Sequence, residues 1–394
     1  MRTVRLVDAD ASCGGKAATL GRLLRHGMPV PDGVVVTGLG GDDASLTAVV
    51  ADVLDRLGHG PLAVRSSAPD EDGALASWAG VLETVLGASG PDAVAAAVRT
   101  CVASFTGPRA QAYRARLGRP AAVGAEGAGS VLVQALVPAD CAGVLFTSHP
   151  VTGAEETVIA AARGLGESVV AGTAGTDTLT VRAGRVEVAV GEQPTRLDVR
   201  DGHLVRSPVA ERDRGRPCLT PRRALELAAL GDAVAGLLGG PQDLEWAVAG
   251  DRVWLLQARP VTARPHEDDG SGIRADAVGR AGLGRLLGAG VPASPGVSTG
   301  TVRVVRDPAE PAGFGAGDVL VCATTSPAWT PLLAVAGAVV TETGGLLAHA
   351  AIVAREFGIP AVVSVPGATT RLVAGVTVRV DGRRGTIEAV PPLP

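Results

Sequence analysis

The sequence predicts a mixed α/β (α+β) chain of two domains, and three observations predict it. Its 394 residues, set against about 150 per domain, make roughly two or three domains. Segments of helical period interleave with short β-rich runs. After Gln257-Ala-Arg-Pro260 the composition turns abruptly to Pro265-His-Glu-Asp-Asp-Gly-Ser-Gly272, the polar, acidic and glycine-containing chemistry of a linker. The expected organisation is therefore a first domain over 1–262, a hinge linker over 263–290 and a smaller domain over 291–394.

In order along the first domain, Asp92 to Phe105 follows Pro91 and places Val94, Val98, Cys101, Val102 and Phe105 on one helical stripe. β-rich runs follow at Val131 to Val137 and at Val144 to Thr147. Thr220-Pro221 opens another helix, read with Leu225, Ala229, Leu230, Val234 and Leu237 inward. Asp243 to Val248 and Val253 to Gln257 read as strands. In the second domain, strand-like segments at Gly300 to Val305, Asp318 to Cys322, Gly337 to Thr341, Ala361 to Val365 and Val376 to Val380 alternate with turns and one clear helix.

Composition narrows the function. Apolar residues at 46% and charged residues at 19% describe a folded chain despite 54 Gly and 27 Pro. A net charge of −4, no basic block and only nine aromatics argue against nucleic acid as a partner. No window offers eighteen uninterrupted apolar residues and the start lacks an apolar leader core, so a soluble, cytoplasmic protein without a membrane partner is expected. Five widely spaced cysteines, with no C-x-x-C pair, suit a reducing compartment.

The most specific segment runs Thr341-Glu-Thr-Gly-Gly345-Leu-Leu-Ala-His349-Ala-Ala-Ile-Val-Ala-Arg-Glu-Phe-Gly-Ile-Pro360. A strand enters the glycine pair, and the helix that follows stops at Gly358 with Pro360 two residues beyond. His349 then falls in the first turn, where unpaired amides and the helix dipole favour an anion. Taken alone, it reads first as a capping or core histidine. His26, His59, His149, His203 and His266 show no metal-ligand spacing and read as structural or solvated.

The 344–363 segment resembles, nearly letter for letter, the phosphohistidine swivelling domain of the phosphoenolpyruvate synthase, pyruvate phosphate dikinase and rifampin phosphotransferase family. Ala293-Ser-Pro-Gly-Val-Ser-Thr-Gly300, Thr325-Ser-Pro-Ala-Trp-Thr-Pro331 and Val380-Asp-Gly382 look like its opening, middle and closing segments. One departure is Ala348, where the family usually carries a hydroxyl or thiol residue.

The first domain resembles the family's ATP-grasp domain in five places. Gly14-Gly15-Lys16-Ala17 looks like the lysine that contacts ATP phosphates, although by itself an exposed lysine fits as well. Val64-Arg65-Ser-Ser-Ala68, Glu71-Asp72, and Trp78-Ala-Gly80 with Thr84 resemble the nucleotide-binding run, with Trp78 replacing the common Phe. Here Arg65 would grip phosphate as a bidentate donor, while Gly80 and Thr84 shape a loop over the nucleotide. A structural pairing of Arg65 with Glu71 or Asp72 is the alternative. Gln134, in Val131-Leu-Val-Gln134, matches the strand lining the adenine pocket, and Gly164-Leu-Gly-Glu167 matches a signature to which only a loop role is assigned.

Gln242-Asp-Leu-Glu245-Trp246 and Trp254-Leu-Leu-Gln257-Ala-Arg259-Pro260 fall where the family places its magnesium ligands and a phosphate-binding arginine. Glu245 and Gln257 supply the hard oxygens that Mg2+ prefers, and Arg259 shares a strand face with Gln257. A two-residue loop at Gly250-Asp251 would set Glu245 opposite Leu256 and turn it from Gln257. A shared metal therefore needs an odd-numbered loop of three or five residues, or a bulge that restores the phase.

The resemblance implies a dikinase-type enzyme using ATP and Mg2+. His349 would take the β-phosphate of ATP and pass it to an acceptor, with release of AMP and with phosphate lost to water or inorganic phosphate. No substrate domain is recognisable, so the acceptor is either a small hydroxyl-bearing molecule or one presented by a separate subunit. The alternative is a non-catalytic ATP-binding regulatory or scaffold protein.

Overall fold

The computed structural model describes residues 1–69, 71, 78, 81–118, 129–170, 175–261, 285–311 and 313–390. They fall into two compact units, 1–261 and 262–394. The chain order of the first is β1 (Arg2–Arg5), α1 (Gly15–Arg25), β2 (Gly33–Thr37), α2 (Asp43–Leu57), β3 (Leu62–Ser67), β4 (Thr84–Ala88), α3 (Pro91–Ser104), α4 (Pro108–Arg116), β5 (Ser130–Ala135), β6 (Cys141–Phe146), β7 (Thr157–Arg163) and α5 (Glu167–Val170). It continues with β8 (Asp177–Arg182), β9 (Arg185–Ala189), β10 (Thr195–Arg200), β11 (His203–Pro208), α6 (Glu211–Arg214), α7 (Pro221–Leu238), β12 (Gln242–Ala249) and β13 (Arg252–Pro260).

Two antiparallel sheets carry this unit, ordered β1-β2-β5-β3-β4 and β13-β12-β6-β7-β8-β9, beside the β10-β11 hairpin. Antiparallel sheets bury one face and leave the other for different use. On the first sheet, Val34, Val36, Val64, Val131 and Val133 pack with Val50 and Val53 of α2 and Val94, Val98 and Cys101 of α3. On the second, Leu145, Leu244, Trp246 and Val248 pack with Ala224, Leu227, Ala228 and Val234 of α7. The residues that alternate with these point the other way: Ala142, Ala247, Ala249, Trp254 and Leu256 form a separate apolar cluster with Leu86, Val137, Leu165 and Leu197.

Helix α3 buries Val94, Val98 and Cys101, as its stripe predicts, and Pro91 is its first residue. Helix α7 also begins at its proline, but Leu225 and Ala229 are exposed, against expectation, and its buried line is Ala224, Leu227, Ala228, Gly231 and Val234. The cause is close packing. A Cβ on Gly231 would stand 2.9 Å from Leu145 Cδ2, so the face with the small residues approaches the sheet, Leu225 stays outside, and Leu230 and Leu237 are only partly buried.

The second unit runs β14 (Leu286–Ala289), β15 (Val291–Ser294), β16 (Val297–Val304), β17 (Val319–Cys322), α8 (Thr330–Leu333), β18 (Ala338–Thr341), α9 (His349–Phe357), β19 (Ala361–Val363), α10 (Ala368–Arg371), β20 (Thr377–Asp381) and β21 (Thr386–Ala389). Its strand order is β14-β21-β20-β16-β17-β18-β19-β15, with parallel pairing from β16 through β19. The two ends of that order are consecutive in the chain, separated by Gly290 alone. Most of the expected linker and hinge lies outside the described residues. Its final part does not behave as a linker, because Leu286–Ala289 pairs with β21, and two-residue alternation is hard to see in so short a run as Leu-Leu-Gly-Ala.

Candidate active site

The β12–β13 hairpin turns through the two-residue loop Gly250-Asp251, with Ala249 paired to Arg252. Continued regularly, that pairing would oppose Glu245 to Leu256. Instead the register shifts between Glu245 and Trp246: Trp246 still pairs with Leu255, but Glu245 pairs with Gln257 and Asp243 with Arg259. Leu256 is the extra residue of a bulge, which restores the phase of the two strands. Glu245, Gln257, Asp243 and Arg259 thereby share one sheet face.

Arg65, on the neighbouring sheet, reaches into this hairpin. Its Nη1 donates to the Leu256 carbonyl, and its Nη2 donates to Glu245 Oε2 at 2.7 Å and to Gln257 Oε1 at 2.8 Å. A guanidinium thus joins the two sheets through Glu245, Glu71 pairs with Lys16 instead, and Asp72 lies outside the described residues. Its Nε is buried and, among the described residues, has no hydrogen-bond partner. Arg259 is held by Asp243 at 2.7 Å.

Lys16 arrives differently. Helix α1 starts against β3: Ser67 Oγ donates to the Cys13 carbonyl at 2.9 Å and accepts from Ala17 N–H at 3.1 Å. A Cβ on Gly15 would lie 1.8 Å from the Glu71 carbonyl oxygen, so only glycine permits this approach. Lys16 Nζ then donates to Glu71 Oε1 at 2.6 Å, while Glu71 Oε2 accepts from Ala68 N–H at 3.0 Å. Lys16 is buried, not the exposed lysine that the tetrapeptide alone would allow.

Charge follows geometry. Burial pushes the Glu245 carboxyl upward, but Arg65, Lys16 and Arg259 together outweigh it and hold it below the ordinary glutamate range. Glu167, at the start of α5, is shifted the opposite way, raised by desolvation and by the Glu245 charge against the pull of Arg65. Thr84 is the cross-strand partner of Arg65 and lies on its face. Gln134 is buried, with its Nε2 donating to the Pro31 carbonyl at 2.8 Å. Gly80 lies outside the described residues.

In the second unit, β18 leads through Gly344-Gly345 to His349, the first residue of α9. Ala348 occupies the cap position and supplies no side-chain hydrogen bond, so the helix amides keep no side-chain acceptor there. The imidazole is buried. Nδ1 lies 3.0 Å from Thr325 Oγ1, and Nε2 lies 3.5 Å from Thr330 Oγ1, whose own proton goes to the Pro327 carbonyl at 2.9 Å. In the tautomer with Nδ1–H donating to Thr325 Oγ1, Nε2 carries the ring's lone pair and faces Thr330 Oγ1. Arg355, one helical turn and a half further on, binds the Ala293 and Leu346 carbonyls at 2.9 Å each and so fixes the approach to the helix.

Residues 43–277 match the pyruvate phosphate dikinase AMP/ATP-binding domain, and 314–385 match the PEP-utilising enzyme mobile domain. The chain belongs to the pyruvate phosphate dikinase family. Similar members include a probable phosphoenolpyruvate synthase of Archaeoglobus fulgidus, 34% identical over 98% of this chain and 58% of that protein. Another, from Methanothermobacter thermautotrophicus, is 33% identical over 96% of this chain and 62% of that protein. The phosphoenolpyruvate synthase of Aeropyrum pernix is 35% identical over 95% of this chain and 56% of that protein. The chain thus spans a little over half the length of these dikinase-family relatives.

Within the dikinase-family framework, sequence reasoning quoted but did not assign several groups that the structure sets beside the candidate residues of each unit taken by itself. Glu71 is the partner of Lys16, Asp243 the partner of Arg259, and Thr325 and Thr330 flank the histidine ring. Asp243 was discernible, since it precedes Glu245 by two residues on one strand. Thr325 and Thr330 precede His349 by 24 and 19 residues, and no local period links them.

Proposed function

We propose that the chain is the ATP-binding and histidine-bearing part of a dikinase-type phosphotransferase. The observation that carries the reading is His349: a histidine at an uncapped helix start with Nδ1 held by a threonine. Nε2 attacks the β-phosphorus of ATP, the N–P bond forms, the bridging oxygen between α and β leaves, and AMP departs. The γ-phosphoryl group of the resulting pyrophosphohistidine passes to water or inorganic phosphate. The remaining phosphoryl group then moves from His349 to the acceptor oxygen, and the hydroxyl proton of the acceptor is released.

Lys16, Arg65 and Arg259 would meet the triphosphate charge, and the unpartnered Arg65 Nε is a donor that phosphate oxygen would satisfy. Thr84 and Gln134 are assigned to the nucleotide with them, and Gly80 by sequence alone. Glu245 and Gln257 fit Mg2+, because two hard oxygens converge within 2.7 and 2.8 Å of one guanidinium nitrogen. When bound there, Mg2+ would neutralise phosphate charge.

The relatives are named for making phosphoenolpyruvate, which supports a small acceptor whose hydroxyl or enol oxygen takes the phosphoryl group. It would meet His349 directly or be presented by a separate subunit. Incubation with ATP labelled at the β-phosphorus tests the reading: acid-labile label on the wild-type chain, lost in His349→Ala with ATP binding kept, is expected. Label retained in that variant removes His349 as the carrier, and γ-label transfer with ADP release removes the dikinase step. ATP binding without any labelling returns the chain to an ATP-binding scaffold.

A further inference from the structure

Among the described residues, four that are not glycine have positive φ: Trp78, Ala183, Asp201 and Ser364. Ala183 and Asp201 precede Gly184 and Gly202 in the two-residue loops of the β8–β9 and β10–β11 hairpins, where both positions call for positive φ. The immediate neighbours of Trp78 lie outside the described residues. Ser364, at φ +55°, belongs to no hairpin. It follows β19, and a serine there carries strain that glycine would not. Strain kept outside a tight turn points to a function for the side chain that bears it.

That side chain reaches the approach to His349. Ser364 Oγ donates to the Gly344 carbonyl, and on the next residue Val365 N–H donates to the Thr341 carbonyl at 2.9 Å. From Thr343 to Leu346, four successive carbonyls each have a donor: the Thr341 hydroxyl at 2.7 Å, the Ser364 hydroxyl, the Ala348 amide at 3.1 Å and the Arg355 guanidinium at 2.9 Å. Three of these donors come from the same stretch of chain, 341–357, and Ser364 comes from outside it. The carbonyl it holds belongs to the Gly344–Gly345 peptide, with Gly344 at φ +113°. Two glycines in a row leave such a peptide free to turn over at little cost. In a trans peptide the carbonyl and the following N–H point opposite ways, so fixing the Gly344 oxygen also fixes the Gly345 amide. The turn closed by Ala348 N–H on the Gly345 carbonyl then leads in one orientation to His349, the next residue.

We propose that Ser364 is a positioning residue for His349: its hydroxyl locks the Gly344–Gly345 peptide and, through it, the imidazole that takes and gives the phosphoryl group. The proposal rests on the phosphohistidine reading given above and adds to it a residue that acts through the backbone. Strain and hydrogen bond have opposite effects on the fold, which makes the role separable from stability. Glycine at this position removes the strain and the hydroxyl together, whereas alanine removes the hydroxyl and keeps the strain.

The test uses the full chain with ATP labelled at the β-phosphorus, in the wild type, Ser364→Gly and Ser364→Ala. The initial rate of acid-labile labelling, the ATP affinity by titration calorimetry and the thermal unfolding temperature are measured for each. Both variants should label on the order of tenfold more slowly with ATP affinity unchanged. The unfolding temperature should hold or rise by a few degrees in Ser364→Gly and fall by a few degrees in Ser364→Ala. A residue that served the fold alone would let labelling follow stability, so Ser364→Gly at the wild-type rate overturns the proposal. A slow rate in Ser364→Gly that comes with a lower unfolding temperature or with equally weakened ATP binding overturns it as well. Wild-type label matched by both variants dismisses Ser364 and leaves the histidine reading standing, whereas a wild type that takes no label removes both.

Discussion

Replacing Arg65 by methionine removes the guanidinium that spans the two sheets while keeping most of the apolar stem. Three acceptors lose their donor: the Leu256 carbonyl, Gln257 Oε1 and Glu245 Oε2. Stranding one member of a buried pair costs about 3–5 kcal/mol. Two features reduce that here. The Glu245 side chain keeps 24% of its surface accessible, and Lys16 and Arg259 remain near it. A loss of about 2–4 kcal/mol at neutral pH is expected.

The sign of its pH dependence is fixed by Glu245. Its carboxyl lies below the ordinary range in the folded chain, so its contribution is present above the unfolded value and lost as pH falls through the folded one. Without Arg65, burial dominates and lifts the carboxyl, so the deficit of the variant should be greatest at neutral pH and shrink on acidification toward about pH 4. Urea denaturation at pH 7.5 and at several points down to pH 4 measures this, with Arg65→Met/Glu245→Leu completing a double-mutant cycle. A deficit that is constant with pH, together with no coupling between the two sites, would refute the reasoning.

Other outcomes follow from the same structure. Glu71→Ala should lower stability by about 2–4 kcal/mol in urea denaturation, because it leaves Lys16 without the carboxylate 2.6 Å away and Ala68 N–H without its acceptor; an effect below about 0.5 kcal/mol would mean that solvent replaces the carboxylate. Thr325→Val should slow β-phosphate labelling while leaving ATP affinity unchanged, and nitrogen NMR of the His349 ring should show a shift in tautomer; unchanged labelling and spectrum would dismiss Thr325 as the tautomer-setting partner. Gly164→Ala should destabilise by more than about 1–3 kcal/mol in thermal unfolding, from positive φ and backbone overlap combined; near-wild-type stability would contradict that geometry.

What could be read from the sequence depended on how locally each feature is encoded. The start of α3 at Pro91 and the αL stop of α9 at Gly358 are written within a few neighbouring residues. So was the dilemma of the β12–β13 hairpin, because register is arithmetic, yet nothing in Glu245-Trp246 or Leu256 marks which strand takes the extra residue. The inward face of α7 was misread because apolar count favours Leu225, whereas the packing favours the glycine opposite Leu145. Lys16 with Glu71 and His349 with Thr325 are pairs made by tertiary folding, across 55 and 24 residues, and such pairs leave no periodic trace.

The single residue between β14 and β15 has a mechanical meaning. Without the segment Leu286–Ser294, the outer strands of the second unit would be β21 and β19, each offering a bare row of amides and carbonyls to any passing chain. One continuous stretch covers both, its first half on β21 and its second half on β19. A cut anywhere upstream of Leu286 leaves this seam shut, whereas a fragment begun at Val297 would open two sticky edges at once. The span matched to the mobile domain starts at residue 314, so a fragment trimmed to that span would carry His349 but neither seam nor β16. Such a fragment should self-associate through strand pairing, and a usable isolated histidine unit has to begin no later than Arg285.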